Sequence, residues 1–357
     1  SGPVSEFNSI VGDGPSFANA NFLQCVLLAN GNFFAFFPYT DGDGVGRTAR
    51  IWVDGNTGMV GQASDLPSIP DEIAFRTLKN GNYLLIDPEW DAPGASDVGA
   101  IQWVDGDTGY VGPIQPGQAL LGRNSGDRVG SGGIQALSNG NYVVTSPDWK
   151  SQDGLHRGAA TWADGSMSTV GEITEANSLI GFTDYTPSFI NPVVALLDGN
   201  YVLVLPEWSD TTTAARGAVT WGDGTSGTAG IISASNSLVG SQAGDRVGWS
   251  GIGLMPSGDY LVLSPQWDNH SIVDAGAATW RAGGAPSPAA VSVENSLVGV
   301  LPAQQVGIYA FMYSDSSYIA LAGIRTAAEG NRMSSFTPAS PGEAVVGGVD
   351  NGNSVLT

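Results

Sequence analysis

The stretch GAATW at Gly158–Trp162 returns as GAIQW at Gly99–Trp103, GAVTW at Gly217–Trp221 and GAATW at Gly276–Trp280. The closing tryptophans Trp103, Trp162, Trp221 and Trp280 stand 59 apart. Trp52 precedes the series by 51, and Phe336 follows it by 56. A second ladder keeps step: Phe33, Tyr83, Tyr142, Tyr201, Tyr260 and Tyr318. A third is the string N-S-L-(V/I)-G at Asn177, Asn236 and Asn295, with weaker copies at Asn8 and Asn353. Six copies of one supersecondary unit thus span the chain, and a period of this length marks an array in which each unit packs on its neighbours.

The third copy shows what the unit is made of. Arg128–Leu137 mixes small and apolar residues, as a strand crowded by neighbouring backbones requires. Ser138–Asn141 is a tight Asn-Gly turn, and Tyr142–Ser146 is a strand by its β-branched and aromatic content, stopped by Pro147. After the polar loop Asp148–Arg157, Gly158–Trp162 reads as a third strand and Ala163–Ser166 as a turn. Thr169–Ile173 reads as a short outer strand, and Asn177–Gly181 as the link to the next unit. No stretch holds a helical period between these turns. The expected fold is all-β: a six-bladed β-propeller with four antiparallel strands per blade. The blades fall at roughly 13–63, 64–117, 118–176, 177–235, 236–294 and 295–352, in one domain spanning 1–357. Residues 1–12 and 343–357 both carry the outer-strand-plus-link pattern and are read as closure or linker segments.

Composition narrows the function classes. There are 13 basic and 34 acidic residues, a net charge of −21, which argues against phosphate backbones and anionic membrane surfaces as partners. No apolar run is long enough for a membrane-spanning helix, so membrane insertion is not expected. Cys25 is the single cysteine, which excludes a disulfide framework; its setting FLQCVLL reads as a buried strand position. The opening Ser1-Gly2 reads as an added remnant, and the chain as a monomeric module of a larger protein.

The strings NSLVG, GDRVG, NGNYVVTSPDW and GAATW together resemble repeats of very large bacterial surface proteins of the filamentous-haemagglutinin and adhesin type. The likeness is strongest over Gly122–Gly299 and implies a secreted or cell-surface protein that engages a glycan or a host or neighbour-cell surface protein. More distantly, the unit is similar to the FG-GAP repeat of integrin α-subunit propellers, whose turn binds calcium through several carboxylates. The matching turns here, such as Asn139-Gly140-Asn141 and Ser257-Gly258-Asp259, hold at most one acid each and depart from that pattern.

Candidate contact residues gather where Pro-x-Trp opens the long loop: Trp90, Trp149, Trp208 and Trp267, with Asp91 and Asp268 beside them. The links carrying Asp127-Arg128 and Asp245-Arg246 should open onto the same face, since alternate loops of an antiparallel blade share a side. Tryptophan, acids and amides on one rim suit a sugar, the ring stacking on the indole and the hydroxyls meeting polar groups. Recurrence in every unit suits blade-to-blade packing equally, and Asp127 and Asp245 suit hydrogen bonding between blades. Trp52, Trp103, Trp162, Trp221 and Trp280 are read as packing residues, and Asp54, Asp105 and Asp223 as hairpin-turn residues. Asp41 and Asp43 in a D-G-D-G run are a weak calcium candidate, too few for a full oxygen shell; no other cofactor is expected. His156 and His270 lie in loops of non-adjacent copies, so neither a histidine-rich metal site nor a catalytic triad is selected. Two alternatives stand beside a binding module: a polysaccharide hydrolase or lyase using loop carboxylates such as Asp87, Glu89 and Glu207, or a ligand-free spacer.

Overall fold

The computed structural model describes residues 10–11, 24–40, 46–58, 61–62, 68–182, 192–312, 318–324, 332–334, 347–350 and 353–356. These residues form strands and turns, with one helical piece among them, the 3-10 turn Pro116–Gln118. The chain divides into two compact units, residues 1–130 with 163–173, and residues 131–162 with 174–357. The fold is all-β and built from several separate sheets.

In the first unit, Gln24–Leu27, Phe33–Thr40 and Gly46–Val53 form an antiparallel meander. A second sheet runs Ala74–Thr77, Tyr83–Asp87, Ala100–Val104, Ala119–Leu121 and Gly171–Glu172 in spatial order. In the second unit the same order recurs. One sheet holds Gly133–Ala136, Tyr142–Ser146, Ala159–Ala163, Ser178–Ile180 and Gly230–Ile231. The next holds Val193–Ala195, Tyr201–Leu205, Ala218–Gly222, Ser237–Val239 and Ala289–Ala290. A third holds Ile252–Leu254, Tyr260–Ser264, Ala277–Arg281 and Leu297–Val298, and Tyr309–Met312, Tyr318–Ile324 and Arg332–Ser334 make a three-stranded one.

This pairing corrects the expected blade in one respect. The fourth strand is the N-S-L-(V/I)-G string, not the outer segment: Ser178–Ile180 lies antiparallel to Ala159–Ala163. The segment read as the outer strand instead pairs, in parallel, with the fourth strand of the preceding unit. Leu120 faces Gly171, Leu179 faces Gly230 and Leu238 faces Ala289, always at the same offset along the chain. Ile10 faces Gly61 at that offset too. The third, fourth and fifth repeats therefore each hand a short fifth strand back to the repeat before, and backbone hydrogen bonds continue past it from Ile173 to Leu121, Ile232 to Ile180 and Val291 to Val239.

The central hairpins are buried on both faces, which is why Tyr201–Leu205 (YVLVL) shows no polar alternation. Tyr201, Leu203 and Leu205 face one way and pack with Leu137, Val143, Ala160 and Leu179 of the sheet before. Val202 and Val204 face the other way and pack with Tyr260 and Val262 of the sheet after. Ile232 and Val291, at the ends of the handed-back strands, fill these two seams.

The turns are equally specific. Gly81 and Gly140 take φ of +94° and +96°, the left-handed values that favour glycine. The preceding Asn80 and Asn139 cap the turns and donate from Nδ2 to the carbonyls of Gly165 and Gly224, each at 2.7 Å. The same carbonyls accept the indole N–H of Trp103 and of Trp162, each at 2.9 Å, and Gly283 accepts that of Trp221 at 2.6 Å. These tryptophans thus grip the hairpin turn of the following repeat, while Trp280 is exposed. Cys25, expected inside, is exposed: its strand Gln24–Leu27 is an edge paired on one side only.

Candidate functional site

The GDRVG string folds back against the loop that follows Pro-x-Trp, and each letter has a reason. Arg128, Arg246 and Gln305 adopt φ of +46°, +43° and +53° and donate their amides to Asp97, Ala215 and Asp274. The next residues, Val129, Val247 and Val306, are fully buried and donate to Val98, Arg216 and Ala275. Gly99, Gly217 and Gly276 open the third strands at φ of +76°, +75° and +80°. A Cβ there would overlap the amide nitrogens of those valines, so both conformation and space demand glycine.

Asp127 and Asp245 are buried in this junction and work as loop staples. Asp127 Oδ2 accepts the amides of Arg123 at 2.9 Å and Asn124 at 2.8 Å. Asp245 Oδ2 accepts those of Ser241 at 2.6 Å and Gln242 at 2.8 Å, and its Oδ1 accepts Asp268 N at 3.0 Å. Burial pushes the Asp245 carboxyl up, against the pull of these amide donors. Asp91 and Asp268 staple the long loop in the same manner, accepting the amides of Asp97 at 2.8 Å and Asp274 at 2.7 Å.

The Pro-x-Trp tryptophans lie in the seams rather than on a rim. Trp149, Trp208 and Trp267 are 4%, 1% and 3% exposed, so their ring faces are closed to a stacking sugar. Trp208 packs with Leu203, Leu205 and Ile232, and Trp267 with Val262, Ala277 and Val291. Trp90 is half-buried against its own unit's core. The acid between Pro and Trp reaches the arginine of the junction instead: Glu89 to Arg128 at 3.4 Å and Glu207 to Arg246 at 3.1 Å. Asp41 and Asp43 lie outside the described residues. Among the described residues no group of three His, Cys, Asp or Glu side chains could hold a metal ion. Nor is any helix among them long and apolar enough to cross a membrane.

At the fifth repeat the junction opens into a cleft of about 620 Å³. Trp267, Asp268 and His270 from the long loop line one side, and Ser241 and Gln242 from the link line another. Ala290–Glu294, the handed-back strand and its continuation, form the third. Gln242 Nε2 pins the long loop by donating to the carbonyls of Asp268 at 3.2 Å and His270 at 2.9 Å. Val293 and Glu294 are exposed at the mouth, and Trp267 Nε1 is buried without a hydrogen-bond partner. The cleft thus combines an apolar wall with hydroxyl, amide and carboxylate groups, the usual lining of a small-ligand site. Of the residues nominated from sequence, the structure brings Trp267 and Asp268 to this cleft and sets Asp245 behind it. Val291, Ser292, Val293 and Glu294 were not legible as site residues, because only the strand hand-back carries them there.

The model of the DUF5650 repeat, described as a repeat of unknown function, matches residues 77–131, 136–186, 195–249 and 254–308. The starts of successive matches keep step with the tryptophan ladder. No curated protein matches the chain. Among solved structures, a protein of unknown function from Dyadobacter fermentans DSM 18053 is similar at 13% identity, with 87% of this chain and 92% of that chain covered, at a TM-score of 0.31.

Proposed function

The chain belongs to the DUF5650 repeat family, and on that premise we propose that it is a non-catalytic recognition module that takes a glycan in the cleft of its fifth repeat. The observation that carries this reading is the lining of that cleft. Val293 offers an apolar surface for the C–H face of a sugar, and Ser241, Gln242, Asp268, Ser292 and Glu294 offer partners for its hydroxyls. A volume of about 620 Å³ suits a short oligosaccharide. In this proposal the six repeats are the blades of one closed β-propeller, and the protein is a secreted or cell-surface module of adhesin type. The strands that the third, fourth and fifth repeats pass to the repeat before support this reading, because they tie consecutive sheets in series.

A glycan array read with the intact protein tests the function, and Val293→Arg is the informative variant. Val293 is exposed at the mouth, so a bulky cation there should remove the apolar surface and abolish binding without moving the melting temperature. A folded protein that gives no signal across the array would sink the reading.

A further inference from the structure

We infer that the protein carries a second ligand site, separate from the fifth-repeat cleft: a cavity at the second repeat that takes one or two neutral sugar residues. The cavity measures about 320 Å³ and lies by the turn that follows the third strand, Ala100–Val104, rather than by the long loop. Ser168 and Val170, on the approach to the handed-back strand Gly171–Glu172, close its far side. All of its lining belongs to one compact unit of the chain.

The residue that points to a ligand is Gln102. It lines the cavity yet is only 2% exposed, and its Oε1 accepts the Gln115 amide at 2.7 Å. That is the one hydrogen bond of its side chain among the described residues, so Nε2 is a donor without a partner. Unlike the indole N–H groups of Trp149, Trp208 and Trp267, it is not fully enclosed, so it meets the open space of the cavity.

The scaffold does not require this arrangement. Counting on in steps of 59, the place of Gln102 is taken by Thr161, Thr220 and Thr279, whose hydroxyls pair with Ser178, Ser237 and Ser296, each at 2.7 Å. The second repeat has Ala119 where those serines stand. It gives up a closed hydroxyl pair for an amide with an unused donor, and a buried donor is costly unless something binds it.

Neighbouring positions change in the same sense. Tyr110 stands in the place of Thr169, Thr228 and Ser287, and Gln115 in that of Thr174, Ser233 and Ser292. Tyr110 Oη donates to Pro113 O at 2.8 Å and accepts from Gln115 Nε2 at 3.3 Å, which fixes the ring and leaves Gln115 Oε1 as an acceptor. Trp103 is half-buried in the wall, its indole N–H held by Gly165 O. Aromatic rings beside neutral amides suit a sugar, which needs an apolar surface and both donors and acceptors. No lysine or arginine lines the cavity, and Oδ1 of its one carboxylate, Asp105, accepts the Asp107 amide at 2.8 Å. An anionic sugar would meet repulsion in a chain of net charge −21. The volume lies at the small end for ligand pockets, enough for one or two sugar rings.

Saturation-transfer NMR of the full chain with glucose, galactose, mannose, N-acetylglucosamine and their 1,4-linked disaccharides tests the site, with calorimetry on whichever binds. Gln102→Thr combined with Ala119→Ser installs the hydroxyl pair of the other repeats, so it should melt with the wild type. It should weaken binding about tenfold by removing the donor. Val170 is 55% exposed, so Val170→Arg should obstruct the cavity and weaken binding as much without touching the core. Val293→Arg, which blocks the fifth-repeat cleft, should leave this binding unchanged. Binding lost in Val293→Arg but kept in the other two variants would overturn the second site and leave the recognition reading standing. A double variant that melts lower yet binds as the wild type does would make Gln102 a structural residue and overturn the inference. Silence across the panel would also overturn it, while the glycan array judges the fifth-repeat cleft separately.

Discussion

Asp127, Asp245 and Gln304 occupy the same repeat position, and together they show what the position requires. Gln304 Oε1 accepts the amides of Val300 at 2.7 Å and Leu301 at 3.1 Å, so one neutral oxygen suffices for the link. Asp245 adds a second acceptor, its Oδ1, for the Asp268 amide. In Asp245→Asn one oxygen can keep the link amides, but the new NH2 meets the Asp268 N–H, two donors face to face. An unpaired buried donor costs about 1–3 kcal/mol. The pH dependence follows from the raised carboxyl. Unfolded, Asp245 ionises near 3.8; folded, it ionises at a higher pH. Its contribution to stability is therefore full below about 3.8 and falls as pH rises through the folded value. Asparagine does not titrate, so urea unfolding should show the variant's deficit largest near pH 4 and smaller near pH 7. A deficit that grows with pH would contradict the assignment. The neighbouring position repeats the lesson in pairs: Glu89 with Arg128, Glu207 with Arg246, Gln266 with Gln305. In these three repeats the charge appears on both partners or on neither.

Among the elements, the handed-back strand is the one whose parity can be tested. Ile231 and Ile232 are adjacent, yet Ile232 is fully buried in the seam with Leu179 and Leu203, while Ile231 is 36% exposed. Ile232→Ala should cost about 2–5 kcal/mol, since it removes buried methyl groups and leaves a cavity. Ile231→Ala should stay within about 0.5–1 kcal/mol. Equal costs in thermal melts would mean that the strand is not set in this register. The same element marks the boundary of what sequence reading could reach. Hairpins such as Tyr142–Ser146 with Ala159–Ala163 were legible because Asn-Gly turns and β-branched runs are local signals. Of the two outermost strands, the fifth was legible as an outer strand but not in its partner, and the fourth was not legible, because residues Ser178–Ile180 look like a link when only neighbours in the chain are considered. Their partner, Gly230–Ile231, belongs to the next repeat and pairs in parallel, which no local pattern encodes. The tryptophans show a second limit. A Pro-x-Trp loop reads alike whether its ring fills a seam or lines a rim; Trp208 at 1% exposure resolves to the seam. The cleft inherited both problems, since one of its walls is a handed-back strand and another a seam tryptophan.

For the molecule as a whole, charge is the quantity that the sequence states and the structure leaves unbalanced. Thirteen basic residues stand against 34 acidic ones. Ion pairs among the described residues include Arg123–Glu172 and Arg128–Glu89, whose members are exposed. Exposed pairs contribute about 0.2–1 kcal/mol each, and salt weakens them. The remaining carboxylates repel one another over distances that salt also screens: the Debye length falls from about 30 Å at 0.01 M to about 8 Å at 0.15 M. Screening therefore acts on two opposed terms, weak local attractions and a repulsion spread over a net charge of −21. The repulsion involves more groups and should win. Raising NaCl from about 0.01 to about 0.15 M should lift the melting temperature by about 2–4 °C, the equivalent of roughly 1 kcal/mol in a large domain. A flat or falling melting temperature would show that attractive pairs dominate. A rise with sulfate but not with chloride would point to salt exclusion from the apolar surface, not to relief of repulsion.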